Sequence, residues 1–139
     1  TILRKREAFR RAFAGFEPGV VAAFGDEDVA RLLGDAGIVR NRAKILATIA
    51  GARATLAMHE AGDSLAALLS RHAPTAPRPA PVAWTQVPAV TPESRALAAE
   101  LKSLGFRFIG PTTAYAAMQA VGVVNDHLAG CPARAGGDP

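Results

Sequence analysis

This chain of 139 residues holds a single cysteine, Cys131, which excludes an internal disulfide and fits a reducing compartment. Aromatic residues are scarce at 6%, with one tryptophan and one tyrosine. No apolar run reaches the roughly 18 residues that a membrane-spanning helix needs, so no membrane segment is expected. The opening residues do not read as a secretory leader. No segment alternates apolar and polar residues as a half-buried strand does, and no internal repeat is evident. A glycine-rich phosphate loop, a Ser-His-Asp set and a paired-carboxylate site are likewise missing, which removes the commonest nucleotide-binding and hydrolytic chemistries.

Half of the residues are apolar, and alanine is abundant. Alanine is the best helix former, so the composition suits closely packed helices joined by short turns. The expected fold is all-α, with residues 1–132 forming one helical domain and 133–139 a flexible tail. The formal net charge of +4 suits a binder of phosphate backbones, although an arginine-rich, alanine-rich protein from a GC-rich genome would carry the same charge. The chain opens at Thr1, without a methionine, on residues that already read as helix interior. That points to a start truncated at its N-terminal side.

Ile2, Leu3, Phe9 and Phe13 mark one apolar side of a first helix, with Arg4, Lys5, Arg6, Arg10 and Arg11 elsewhere. Glu17-Pro18 starts a short helical turn. Asp26 caps the next helix, which turns Val29, Leu32 and Leu33 inward and breaks at Gly34 and Gly37, with Ile38 packing across the turn. A long helix follows from about Asn41 to Met58, its inner face at Ile45, Ile49, Ala52 and Leu56 matching the 3.6-residue period. Gly62-Asp63-Ser64 caps a further helix with Leu65, Leu68 and Leu69 inward. Five prolines between Pro74 and Pro88 forbid a helix and predict an extended loop, anchored by Trp84. Thr91-Pro92 starts a helix with a Leu97, Leu101 and Leu104 stripe, stopped by Gly105. A last helix runs from about Pro111 to Val121.

Two motifs carry chemistry. In Leu104-Gly105-Phe106-Arg107-Phe108-Ile109-Gly110-Pro111-Thr112-Thr113, a tight glycine-bounded turn joins two helices. Its second helix offers unpaired N–H groups and a positive dipole end, which suit a DNA phosphate. The candidate DNA contacts are Gly105, Phe106, Arg107, Gly110, Thr112 and Thr113. Phe108 and Ile109 would pin the turn to the core. A helix-turn-helix connection without a ligand uses the same residues. In the second motif, His127 and Cys131 stand four apart, close enough on a helical turn or its unwound end to grip one metal ion.

Read together, Thr1-Ile2-Leu3-Arg4-Lys5-Arg6-Glu7-Ala8-Phe9-Arg10, Asp35-Ala36-Gly37-Ile38-Val39-Arg40-Asn41-Arg42, the hairpin, Tyr115 to Gly122, and Val124-Asn125-Asp126-His127 with Cys131 resemble the DNA-3-methyladenine glycosylase I family. The likeness runs from Thr1 to about Cys131. It implies a helix-hairpin-helix glycosylase-type bundle that removes 3-methyladenine from double-stranded, alkylated DNA, working as a monomer in the bacterial cytoplasm. It also implies a structural zinc held by two histidines and two cysteines. His127 and Cys131 match one pair, and the other would lie upstream of Thr1. The base-recognising glutamate, most of the aromatic pocket and the residue that plugs the duplex would also lie upstream. No catalytic residue is therefore assigned within this chain, and excision by these residues alone is expected to be negligible.

Other residues carry lesser expectations. Asp126 stands in a place loosely comparable to the catalytic aspartate of other helix-hairpin-helix glycosylases, but its spacing from Thr113 is short for that match. It is read instead as a structural residue beside the metal ligand, suited to partnering His127. Arg40, Arg42 and Lys44 suit either phosphate contact or a solvated helix start. His59 and His72 read as surface or boundary residues, and Tyr115 and Met118 as core. Two further readings use the same residues: a non-catalytic helix-hairpin-helix DNA-binding module, and a helical interaction domain whose His127 and Cys131 complete a zinc site across a subunit interface.

Overall fold

The computed structural model describes residues 2–135 and contains, among them, helices and turns but no strand. Eight α-helices occur in this range: α1 (Arg6–Ala12), α2 (Pro18–Ala22), α3 (Asp26–Gly34), α4 (Arg42–Glu60), α5 (Leu65–Arg71), α6 (Pro92–Ser103), α7 (Pro111–Ala120) and α8 (Pro132–Ala135). None of the described helices is long and apolar enough to cross a membrane. The described residues group into two compact units, residues 2–64 with Leu104–Phe108, and residues 65–103 with 109–135.

The first unit is built on an apolar core of Phe13, Val21, Phe24, Val29, Leu32, Ile38, Ile45 and Ile49, drawn from α1 to α4 and the segments between them. Phe13 stacks on Phe9, Phe16 and Phe24 with ring centroids 5.5–6.3 Å apart. Half of the aromatic residues of a chain poor in rings are thus spent in one place. The Asn41 side chain accepts the Lys44 N–H at 3.0 Å and caps α4, whose dipole then starts from a satisfied end.

Three expectations in this unit change. Ile2 and Leu3 are exposed, because Leu3–Lys5 is a 3₁₀ turn, and three residues per turn do not continue a stripe set at 3.6. Gly25, not Asp26, caps α3. Asp26 is its first residue, and Asp28 reaches back to accept the Gly25 N–H at 3.2 Å. The inner face of α4 is Ile45, Ala47, Ile49, Ala54 and Met58, with Ala52 and Leu56 half-buried, because small alanines let this helix bury more than one side.

In the second unit α6 packs on α7, and Leu97, Leu101, Ala114, Tyr115 and Met118 are buried. Thr91 and Ser94 form a reciprocal cap at the start of α6. The Thr91 N–H donates to Ser94 Oγ at 2.9 Å, and the Ser94 N–H to Thr91 Oγ1 at 3.2 Å. Leu104 lies past the end of α6, so it leaves the predicted stripe and is 38% exposed. The proline-rich stretch is the extended loop foreseen, with one 3₁₀ turn at Trp84–Gln86. Trp84 does not anchor it: at 75% exposure the indole lies at the surface, because the loop's main chain is held instead by polar links, among them the Ala129 N–H donating to Pro81 O at 2.8 Å. Residues 133–135, expected to begin a flexible tail, belong to α8, started by Pro132 at a position where a missing N–H costs nothing. Residues 136–139 lie outside the described range.

Candidate nucleic-acid interface and metal pair

Helix α6 ends at Ser103 and α7 begins at Pro111, with the glycine-bounded turn between them. Within the first unit, Gly105 has φ +99°, a left-handed conformation that stops the helix and strains any other residue. Phe106 follows and is buried; its ring lies over Gly51 of α4, where an added Cβ would meet it at 3.5 Å. The anchor of the turn is therefore Phe106, which removes its ring from the predicted DNA contacts. Phe108, the expected anchor, is 62% exposed, because its own φ of +63° swings the side chain outward. Ile109 is half-buried, as an anchor would be. Arg107 is exposed, as are Arg40, Arg42 and Lys44 at the start of α4. The Lys44 ammonium stands 6.0 Å from the centre of the Phe108 ring.

Within the second unit, Gly110 caps α7 in an extended conformation, and Pro111 occupies the first turn. No side chain caps this end, and no acceptor meets the N–H groups of Gly110, Thr112 or Thr113 among the described residues. These three residues are exposed. A Cβ added at Gly110 would meet nothing within 4 Å, so the approach to the amides is open. Bare donors at a positive helix end form a receptor for an anion.

The His127 and Cys131 side chains converge: Sγ lies 3.7 Å from Nδ1. Two ligands of one tetrahedral zinc, at about 2.3 Å for sulfur and about 2.0 Å for nitrogen, would stand roughly 3.5 Å apart. The pair thus fits half of a zinc site by both chemistry and spacing. Among the described residues no third His, Cys, Asp or Glu joins it in a metal-binding cluster. The segment is a turn, not a helix, and the Cys131 N–H closes it onto Leu128 O at 2.9 Å. Arg134 of α8 donates to His127 O at 2.6 Å and to Asn125 O at 3.2 Å, fixing the main chain on both sides of Asp126.

Asp126 does not serve His127. Its carboxylate accepts from the Tyr115 hydroxyl, from Gln119 Nε2 at 3.0 Å and from Arg78 Nη2 at 3.5 Å, and Arg78 also donates to the Tyr115 oxygen. Donors from α7 and the proline-rich loop use its lone pairs. Burial, together with the Asp126 carboxylate that accepts the phenol proton, raises the Tyr115 pKa above its ordinary value. Tyr115 and Met118 are core residues, as expected. His59 is exposed, and His72 is a boundary residue whose Nε2 meets Glu100 Oε2 at 2.6 Å. Arg78 escaped the sequence reading altogether. Its only signal was a lone cation inside a proline-rich loop.

A family model described as methyladenine glycosylase matches residues 1–135. The chain belongs to the methyladenine glycosylase family. It is 42% identical over 142 residues to DNA-3-methyladenine glycosylase 1 of Escherichia coli, covering 100% of this chain and 75% of that protein. Against DNA-3-methyladenine glycosylase of Haemophilus influenzae the identity is 38%, covering 96% and 73%. Among solved structures, a 3-methyladenine DNA glycosylase I superposes with a TM-score of 0.89 at 45% identity, covering 94% of this chain and 72% of that one. The Staphylococcus aureus enzyme, solved to explain its recognition of 3-methyladenine, gives 0.88 at 31%, covering 96% and 71%. Membership accounts for the all-helical fold and for the order of the motifs along the chain.

Proposed function

We propose that this chain belongs to a DNA repair glycosylase that hydrolyses the bond between 3-methyladenine and deoxyribose in double-stranded, alkylated DNA, as a monomer in the bacterial cytoplasm. The target bond is inaccessible in a stacked duplex, so such an enzyme must extrude the nucleotide. The methylated base is cationic and leaves as a neutral molecule, so little acid assistance is needed, and water completes the reaction at the sugar. Aromatic faces and a carboxylate select a cationic base. What the described residues offer is docking.

The observation that carries this reading is the open start of α7, where, among the described residues, the N–H groups of Gly110, Thr112 and Thr113 have no acceptor and a Cβ at Gly110 would meet nothing within 4 Å. A phosphodiester oxygen received there would fix the strand without reading its sequence. In the first unit, exposed Arg107, Arg42 and Lys44 carry charge that suits phosphates. Gly105 supports the turn by its conformation and, like Phe106, acts through the fold. Gly110→Leu is the direct test, because φ of −101° and the empty space around its Cβ position accommodate a side chain without disturbing the fold. Affinity for duplex DNA at fixed salt should fall about tenfold, on the order of 1.4 kcal/mol, with base preference unchanged. Unchanged affinity would take the hairpin out of the interface. Release of 3-methyladenine from methylated DNA by the gene product tests the reaction itself.

His127 and Cys131 would hold a zinc ion by Nδ1 and Sγ. The ion would act as a structural clasp and supply no bond-breaking chemistry. With two ligands in this chain, binding should be weak, because structural zinc affinity rests on a full ligand set. A metal titration of the 139 residues should therefore show no tight one-to-one complex, and Cys131→Ala should remove what binding there is. Tight stoichiometric uptake would mean that further ligands exist within this chain.

A further inference from the structure

Two phenylalanines of the first unit hold left-handed backbones, Phe16 at φ +61° and Phe108 at φ +63°. Bulky L-residues avoid this region, so each needs a reason to be there. Phe16 has one in the fold, since its ring stacks on Phe13 at 5.5 Å. Phe108 lacks such a stack: its side chain is 62% exposed and, among the described residues, no ring stacks on it, while the Lys44 ammonium stands 6.0 Å from its centre. Glycine would make the same turn without strain and without exposing a ring. The anchoring that an aromatic residue usually provides is already supplied here by Phe106.

The surroundings of the ring specify its ligand. Lys44 is an exposed cation 6.0 Å from the ring, and Arg107 is the exposed residue that precedes it in the chain. Each of these groups suits a phosphate. An apolar face set among phosphate-binding groups meets what lies between consecutive phosphates, the deoxyribose. We propose that Phe108 is a DNA-contacting residue whose ring packs on the sugar face of the strand that the hairpin docks. It would place the strand by shape, with Lys44 holding the ring in position. This rests on the docking reading above and adds to it a contact that does not depend on charge.

Phe108→Gly in the full chain separates the two roles a ring can have. The glycine relieves the left-handed strain and leaves the turn intact, so the melting temperature should stay level or rise. Affinity for a duplex oligonucleotide carrying an abasic-site analogue should fall about fivefold. The slope of log affinity against log salt should not change, whereas Arg107→Ala should lower it by about one. Phe108→Leu should recover part of the loss. An unchanged affinity in Phe108→Gly, or a clear drop in its melting temperature, would overturn the proposal. If Gly110→Leu weakens binding and Phe108→Gly does not, the ring is idle and the docking reading stands. If the unsubstituted chain does not bind the duplex, both fall.

Discussion

The two units differ in how their side chains meet one another. In the first, rings and branched side chains meet in one apolar core, and the phenylalanine stack carries no polar atom. In the second, many ties are polar and reach across long stretches of sequence: Arg78 to Tyr115 and Asp126, His72 and Arg71 to Glu100, Arg134 to the main chain beside His127. An apolar core tolerates changes of partner as long as volume is kept. A polar network does not, since each donor lost leaves an acceptor bare. Among the described residues no buried side-chain nitrogen or oxygen lacks a partner, so the network of the second unit is complete as it stands.

That contrast can be broken most severely at Phe13, which is 2% exposed and touches three other rings. Phe13→Ala should cost about 3–5 kcal/mol in chemical denaturation, the range for emptying an aromatic site in a core. A loss below about 1 kcal/mol would mean that the stack is not the core of its unit. Next comes Asp126→Ala, which strands the Tyr115 hydroxyl and the Gln119 amide and should cost about 2 kcal/mol. A double-mutant cycle with Tyr115→Phe checks the cause. The two changes together should cost clearly less than their sum, because the phenylalanine removes the stranded hydroxyl.

The smallest effect is expected at Glu100. Its contact with His72, helped by Arg71, holds its carboxyl below the ordinary value of 4.5. A carboxyl whose pKa is lower in the folded state contributes stability above its unfolded pKa and loses it as pH falls through the folded one. Unfolding free energy should therefore decline slightly below pH 4.5, and Glu100→Gln should flatten that decline. An identical acid limb in both proteins would leave Glu100 without a stabilising role.

Periodicity made the helices readable, and with them most of the first core: Val29, Leu32, Ile45 and Ile49 stand where a 3.6-residue repeat puts them. It failed where the backbone leaves that repeat. Ile2 and Leu3 were displaced by a 3₁₀ turn. Phe106 is buried and Phe108 exposed, against the expected order, because the left-handed backbones of Gly105 and Phe108 change which side chain faces inward. The network around Asp126 was hidden for another reason, since Arg78 stands 48 residues away and no local pattern links them. The convergence of His127 and Cys131, by contrast, was legible in their spacing alone.

The Arg134 guanidinium grips the carbonyls of His127 and Asn125, and Asn125 Nδ2 returns a bond to Arg134 O at 3.3 Å. The thiol–imidazole pair is thus buttressed from a residue beyond its last member. Clipping the chain after Cys131 would leave both side chains present and remove the brace on the main chain at His127.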